Sequence, residues 1–201
     1  MNSVSPKSRR RLQRSDILPL AEYIPVRRQR RREIAQFKKL RRVEVGPFAT
    51  FYFENFETMR QQVQEMLYIE KGGEAQIEDE LLAYNPLIPQ GRELIATVMI
   101  EIDDPLRRNT VLVRLGGIEN AVFLEVAGER IRGEADPNRE NTSADGKASS
   151  VQFIRFPFSE RQIAAFKTPG APILAGFDHA NYGHLAVIPE PVRAALAEDF
   201  D

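Results

Sequence analysis

Residues 93–102 read Glu-Leu-Ile-Ala-Thr-Val-Met-Ile-Glu-Ile, and this stretch decides the fold prediction. Every second residue from Leu94 to Ile102 is apolar, which is the pattern of a β-strand with one buried face. Ile95 and Met99 make the opposite face largely apolar as well. A strand that is apolar on both faces is typical of the centre of a sheet. We therefore expect residues 93–102 to form a central strand.

The elements around this strand favour the α+β class. Two helices, at about 56–71 and from 74 to about 84, are separated by Gly72-Gly73, and so short a turn predicts an antiparallel helical hairpin. Helices and strands do not alternate as regular βαβ units, which argues against a doubly wound fold. We expect a single domain over residues 15–201, in which a mixed, mainly antiparallel sheet packs against the hairpin and a basic N-terminal helix. Residues 133–150 carry no large apolar side chain and are predicted to form a mobile loop.

The composition excludes several chemistries. The 201-residue chain has no cysteine, so disulfides, thiolate nucleophiles and cysteine-ligated metal sites are ruled out. No apolar segment is long enough to cross a membrane or to act as a signal peptide, and we expect a cytoplasmic protein that does not bind membranes. Nucleotide-binding glycine motifs and a serine-hydrolase elbow are also missing from the sequence.

The charge is divided unevenly along the chain. Residues 1–42 hold 14 of the 28 Lys and Arg residues but only three acids, a net charge of +11, whereas the remaining residues have a net charge of −12. Residues 1–14 have too little apolar surface to order themselves and are predicted to be a disordered basic tail. A basic arm on an acidic body indicates either an anionic partner or an arm that folds back on its own body.

A helix predicted from about Pro25 to Arg42 concentrates this positive charge. Its narrow apolar stripe is Ile34, Phe37 and Leu40, so its C-terminal half is expected to pack against the protein. The candidate residues for binding an anion or a partner are Arg27, Arg28, Arg30, Arg31, Arg32, Lys38 and Lys39. They could bind nucleic acid without sequence specificity, or they could neutralise the acidic hairpin of the same chain or of a second subunit.

Both histidines lie in one short segment, Asp178-His179-Ala180-Asn181-Tyr182-Gly183-His184. A loop of this kind could place Asp178, His179 and His184 around a divalent metal such as Zn, Mn or Fe, or make one imidazole a general base. The alternative is an ordinary turn between two strands, in which Asp178, Asn181 and Gly183 supply the turn chemistry.

Glu70 and Glu80 are the second candidate pair. On a helical wheel Glu70 falls on the apolar stripe of the first hairpin helix, and Glu80 lies at the edge of the stripe of the second. Either carboxylate could join His179 or His184 in a metal site, although the Glu-x-x-His motif of di-iron bundles does not occur. A salt bridge to the basic helix would explain both glutamates more simply.

Several stretches together resemble an uncharacterised bacterial domain-of-unknown-function family over roughly residues 15–195. The stretches that carry the resemblance are Phe53-Glu54-Asn55, Gln62–Leu67 with Glu70, Glu80-Leu81, Tyr84-Asn85-Pro86-Leu87-Ile88-Pro89, Glu93–Thr97 with Glu101, and Asp178-His179 with Tyr182. The resemblance implies genes that neighbour those of rubrerythrin-like proteins and an iron–sulfur oxidoreductase. It implies no catalytic residue and no cofactor.

Three functions follow as expectations. The first, which rests on the resemblance, is an accessory protein of a bacterial redox or oxidative-stress module that acts through a protein partner or as a homo-oligomer. The second is a metal-binding protein or metalloenzyme that uses the segment from Asp178 to His184. The third is a nucleic-acid binder that uses the basic helix.

Overall fold

The computed structural model describes residues 9–201, and its centre is the strand predicted from residues 93–102. This strand, β3 (Glu93–Ile100), lies between β2 (Ala49–Phe53) and β7 (Val151–Pro157) and pairs antiparallel with both. Leu94, Ala96 and Val98 are buried in the main core, whereas Ile95 is buried in a second core on the opposite face. The prediction of a central strand with two apolar faces is confirmed.

The strands form two antiparallel sheets. One sheet has the order β1-β2-β3-β7-β6 and the other has the order β5-β4-β8-β9. The remaining strands are β1 (Arg42–Val45), β4 (Val122–Val126), β5 (Glu129–Arg132), β6 (Glu134–Ala135), β8 (Ile173–His179) and β9 (Tyr182–Val187). The α+β class is confirmed, but the prediction of one mixed sheet is wrong. Alternation of apolar residues reports which side of a strand is buried, and it does not report which strand is the neighbour.

The main core lies between the two sheets and is rich in phenylalanine. Phe51 is fully buried there, with its ring centre 5.2 Å from that of Phe177 on the opposite sheet and 6.3 Å from that of Phe156. Side chains from the facing sheets therefore interdigitate as in a β-sandwich.

Gly133 marks the corner where the chain leaves one sheet for the other, between β5 and β6. A Cβ atom at this position would lie 2.4 Å from Cγ2 of Ile154 and 3.2 Å from the carbonyl oxygen of Val122, so the corner has no room for a side chain. Residues 133–150, predicted as a mobile loop, contain β6 and a β-bridge between Thr142 and Ala148. The mobility of this segment stays a prediction.

The helical hairpin covers the other face of the five-stranded sheet. Its helices are α2 (Phe56–Glu70) and α3 (Gln76–Tyr84), and their apolar faces enclose the second core with Ile95. The Asn55 side chain begins α2 by accepting hydrogen bonds from the backbone N–H groups of Glu57 and Thr58, both at 3.1 Å. The predicted hairpin is therefore present.

The basic helix α1 (Leu20–Lys39) begins earlier than predicted, and its buried residue lies in its N-terminal half. Tyr23, in its first turn, is its buried residue, whereas Phe37 is 38% exposed and Leu40, just after the helix, is 47% exposed. The C-terminal half packs only in part, because Ile34 and Phe37 line a groove with Glu57 and Arg60 of α2 while Leu40 is exposed. The N-terminal half is held by polar contacts, which an apolar stripe cannot reveal.

The first described residues lie against the C-terminal residues, where Arg10 donates a hydrogen bond of 2.7 Å to the Asp201 side chain. Three shorter helices complete the fold: α4 (Pro105–Val113), α5 (Glu160–Lys167) and α6 (Glu190–Ala197). Of the tail predicted to be disordered, residues 1–8 lie outside the described residues. Residues 9–14 differ from that prediction because Leu12 enters the second core and exchanges hydrogen bonds of 2.7 and 3.1 Å with the Asn85 side chain. Within residues 9–201, none of the helices is both long and apolar enough to cross a bilayer.

Candidate functional site

A polar network holds α1 against α2. Arg27 donates two hydrogen bonds to the Glu65 carboxylate, from Nε at 2.9 Å and from Nη2 at 2.8 Å. The Tyr23 hydroxyl donates a further hydrogen bond to Glu65 and accepts one from Gln61 at 2.6 Å. The Arg27 guanidinium also lies over the Tyr68 ring, 4.0 Å from its centre. The basic helix is thus fixed by one carboxylate and one aromatic ring of α2.

The network shifts the pKa values of its members in opposite directions. Burial, together with the hydrogen bond to Glu65, raises the pKa of Tyr23 to about 12. Burial alone would raise the pKa of Glu65, but the hydrogen bonds and charges of Arg27, Tyr23 and Arg31 outweigh it and lower that pKa below 4.5. Glu65 is therefore ionised, and Tyr23 is neutral, at neutral pH.

Glu65→Gln is expected to lower the free energy of unfolding by about 1–2 kcal/mol at pH 7, because the three hydrogen bonds from Arg27 and Tyr23 lose the carboxylate charge that strengthens them. Since the folded-state pKa of Glu65 is lowered, its stabilisation is complete above pH 4.5 and is lost as the pH falls through the folded value. Urea denaturation from pH 7 downward should show the two proteins converging in stability. Glu70→Gln, an exposed carboxylate at the end of the same helix, is the control. A wild-type advantage that stays constant at low pH would contradict this role of Glu65.

The outer side of α1 and α2 contains a groove that we call the arginine groove. It is lined by Ile24, Arg27, Arg28, Arg31, Arg32, Ala35 and Tyr68 and has a volume of about 490 Å³. Six of these residues form two parallel rows along α1 at a spacing of four, namely Ile24-Arg28-Arg32 and Arg27-Arg31-Ala35. Tyr68 of α2 closes the groove on one side.

The arginine groove carries excess positive charge. Arg27 and Arg31 share the carboxylate of Glu65, to which Arg31 is 3.9 Å away. Within residues 9–201, no carboxylate lies within salt-bridge distance of Arg28 or Arg32. Four guanidinium groups therefore face a single acid.

The other predicted basic residues lie outside the groove. Arg30 is 4.0 Å from Glu33 of its own helix, and Lys38 and Lys39 are at the far end of α1. In the acidic hairpin, Glu65 pairs with arginines of α1, whereas Glu70 and Glu80 accept hydrogen bonds from Gln76, at 2.5 and 2.8 Å.

The predicted metal ligands do not come together. Asp178 is paired with Arg132 at 2.7 Å and with Arg130 at 3.3 Å, which lowers the pKa of its carboxyl. His179 accepts a hydrogen bond at Nδ1 from the Asn181 backbone at 3.2 Å, which leaves Nε2 to donate to the Gly116 carbonyl at 3.1 Å. His184 packs edge-on against Tyr182.

Glu70 and Glu80 belong to a different layer from the histidines. They are on the helical hairpin and share Gln76, whereas His179 and His184 are on β8 and β9 of the four-stranded sheet. Across the part of the chain that the structure describes, no group of three or more His, Asp or Glu side chains is arranged to hold a metal ion. The turn interpretation of residues 178–184 fits these contacts, because the segment spans the hairpin between β8 and β9.

One polar cluster was missed by the sequence analysis. Arg41 and Asp199 are 3% and 7% exposed and form a buried ion pair, and Arg41 also donates to the carbonyl oxygens of Phe53 at 3.0 Å and Glu54 at 3.3 Å. Arg10 donates to the Asp199 carbonyl at 2.7 Å. In the sequence, Arg41 is one of the many charges of residues 1–42 and Asp199 lies just after α6, so the spacing of apolar residues gives no signal for either.

A crystal structure of a protein of unknown function from Burkholderia pseudomallei K96243 has the same fold. The two chains are 40% identical, and their superposition has a TM-score of 0.87 and covers 94% of this chain and 99% of the other. Comparison with curated proteins finds no match.

The family assignment comes from a match over nearly the whole chain. Residues 11–200 match the family model described as "Protein of unknown function (DUF3501)". This match confirms the resemblance to an uncharacterised family, while the gene neighbours that the resemblance implies stay a prediction. The chain therefore belongs to the DUF3501 family of proteins of unknown function.

Proposed function

We propose that the protein is a binding module for another protein, and that the arginine groove receives an acidic, amphipathic helix of that partner. The observation that carries the proposal is the excess of guanidinium groups in a groove that also presents apolar surface. Ile24 is 53% exposed there, and Arg28 and Arg32 lack an acidic partner among the described residues. Arginine beside exposed apolar and aromatic side chains is typical of protein–protein interfaces.

The shape of the groove supports a helix as the occupant. The two rows of α1 are ridges of the kind that interdigitate with a second helix. An acidic helix with apolar residues on the same face would pair its carboxylates with Arg28 and Arg32 and cover Ile24. This is the helix-in-groove mode of recognition.

A protein partner is favoured over nucleic acid because the aromatic ring in the groove, that of Tyr68, is not open for stacking. Binding of single-stranded nucleic acid uses exposed rings on which bases stack. Tyr68 is already covered by the Arg27 guanidinium. Guanidinium groups also pair with phosphate, so nucleic acid is an explicit outcome of the test below.

We infer the cellular setting of this partner from the family resemblance. A bacterial redox or oxidative-stress module would then supply the acidic partner, and the protein would act in it as an accessory subunit rather than through a metal of its own.

The test uses defined probes and fluorescence anisotropy. The probes are a synthetic amphipathic peptide of Leu and Glu, a scrambled peptide of the same composition, and a single-stranded and a double-stranded DNA oligonucleotide. The amphipathic peptide is expected to bind at least about tenfold more tightly than the others. Binding should weaken as salt concentration rises, because exposed charges are screened.

Two double charge-reversal variants of α1 distinguish binding in the arginine groove from nonspecific attraction to positive charge. Arg28→Glu with Arg32→Glu is expected to weaken peptide binding by roughly tenfold or more, whereas Lys38→Glu with Lys39→Glu, outside the groove, should have a much smaller effect. Tighter binding of either oligonucleotide, or equal losses in the two double variants, would overturn the proposal.

A further inference from the structure

We propose that the outer edge of the four-stranded sheet pairs with the same edge of a second copy of this chain. The edge strand is β9, which pairs with β8 on one side and with no other strand of residues 9–201 on its second side. The two copies of β9 would run antiparallel across a two-fold axis, so that the two four-stranded sheets join into one continuous sheet.

The hydrogen bonding of β9 shows which backbone groups face this edge. Ile188 donates from its backbone N–H to the Ile173 carbonyl at 2.8 Å, so these opposed residues form a hydrogen-bonded pair. Such pairs alternate along an antiparallel ladder, so the backbone N–H and C=O groups of Gly183, Leu185 and Val187 point away from β8. Among the described residues, none forms a hydrogen bond with these outward groups. They are therefore available to a further strand.

The side chains of β9 lack the charges that keep sheet edges apart. Leu185 is 57% exposed and Val187 is 65% exposed, and residues 180–189 contain no Lys, Arg, Asp or Glu. Charged side chains on an edge strand oppose pairing with another strand. The other three sheet edges carry exposed charges, namely Arg42 and Glu44 on β1, Arg130 and Arg132 on β5, and Glu134 on β6.

A second copy of β9 meets the requirements of this edge. A charged partner strand would have to bury its charges against Leu185 and Val187, at a cost in desolvation, whereas β9 brings none. Antiparallel pairing with Leu185 opposite its own counterpart also places Gly183 opposite Val187, so all three outward residues enter hydrogen-bonded pairs. A register shifted toward the C-terminus would bring in Pro189, which has no N–H to donate.

The length of β9 sets the strength of the dimer. The strand has six residues and is about 20 Å long. One pair of such strands buries less than the roughly 1,200–2,000 Å² of a stable interface, so the dimer is expected to be weak. We expect a dissociation constant of about 100 μM.

Sedimentation velocity of the full chain from about 5 to about 500 μM tests the self-association. The sedimentation coefficient should rise from that of a monomer toward that of a dimer. Leu185→Lys is expected to weaken the dimer at least about tenfold, because it places like charges next to each other across the two-fold axis. Leu106→Lys is the matched control, since Leu106 is 81% exposed on α4, and it should leave the dimer unchanged. Circular dichroism of each variant verifies that it folds.

Disulfide cross-linking tests the register, and the chain has no cysteine of its own to interfere. In a hydrogen-bonded antiparallel pair the Cα atoms are about 5.5 Å apart, which is within the range of a disulfide. Leu185→Cys should therefore cross-link two copies under mild oxidation. Val187→Cys, on the same strand, should cross-link at least about tenfold more slowly, because the proposed register separates the two copies of this residue by about 14 Å along the strands.

Three results would overturn the inference: a monomer at about 500 μM, equal weakening of the dimer by Leu185→Lys and Leu106→Lys, or cross-linking of Val187→Cys as fast as that of Leu185→Cys. None of these results bears on peptide binding at the arginine groove, because no residue of that groove belongs to β9.

Discussion

Asp199→Ala is expected to lower the free energy of unfolding by about 3–5 kcal/mol, because it leaves the Arg41 charge buried without its carboxylate. Arg41 is only 3% exposed, and its guanidinium group otherwise donates to the carbonyl oxygens of Phe53 and Glu54. Burial raises the pKa of Asp199, and the nearby Arg41 and Arg10 charges act in the opposite direction. Urea denaturation of the variant measures the loss directly.

The double variant Arg41→Met with Asp199→Leu separates the effect of the charge from that of the side-chain volume. Removal of both charges also removes the desolvation cost, so the double variant should be clearly more stable than Asp199→Ala. Asp199→Asn, which keeps a hydrogen-bond acceptor for Arg41, should fall between Asp199→Ala and the wild type. If Asp199→Ala lost less than about 1 kcal/mol, Arg41 would have a sufficient alternative partner and the explanation would fail.

Phe51→Ala is expected to cost about 3–5 kcal/mol, the second large effect. Phe51 has no exposed surface, and its ring meets Phe53, Phe156 and Phe177 within 6.3 Å between centres. These residues come from both sheets, so the cavity left by the ring cannot close without moving one sheet relative to the other.

Phe37→Ala is the matched control for Phe51→Ala, since it makes the same chemical change at a residue that is 38% exposed. Its cost in guanidinium chloride denaturation should be about 1 kcal/mol or less. Equal losses in the two variants would mean that the contact between the sheets is not the main source of stability.

The sequence predicts those parts of the fold that depend on local pattern. The two apolar faces of residues 93–102 identify a central strand, and Gly72-Gly73 identifies the turn of the helical hairpin. The division into two sheets depends on partners distant in the chain and on the tight corner at Gly133, neither of which a local pattern records.

The candidate sites also include one that a local pattern reveals and one that depends on residues distant in the chain. The arginines of α1 were found because their density is visible in one segment. Arg41 and Asp199 are 158 positions apart and look like ordinary surface charges until folding brings them together. The apolar stripe of α1 gives an incomplete account of its packing for a related reason, since the contact that fixes the N-terminal half is the polar pairing of Arg27 with Glu65 on another helix.

The contact of Arg10 with the C-terminal residues has a consequence for the order of folding. Arg10 bonds to the backbone of Asp199 and to the side chain of Asp201, which is 191 positions away. Contacts of this sequence separation form slowly, because the entropy lost in closing a long loop must be overcome first. We therefore expect Arg10 to dock on these residues only after the local helices and hairpins have formed.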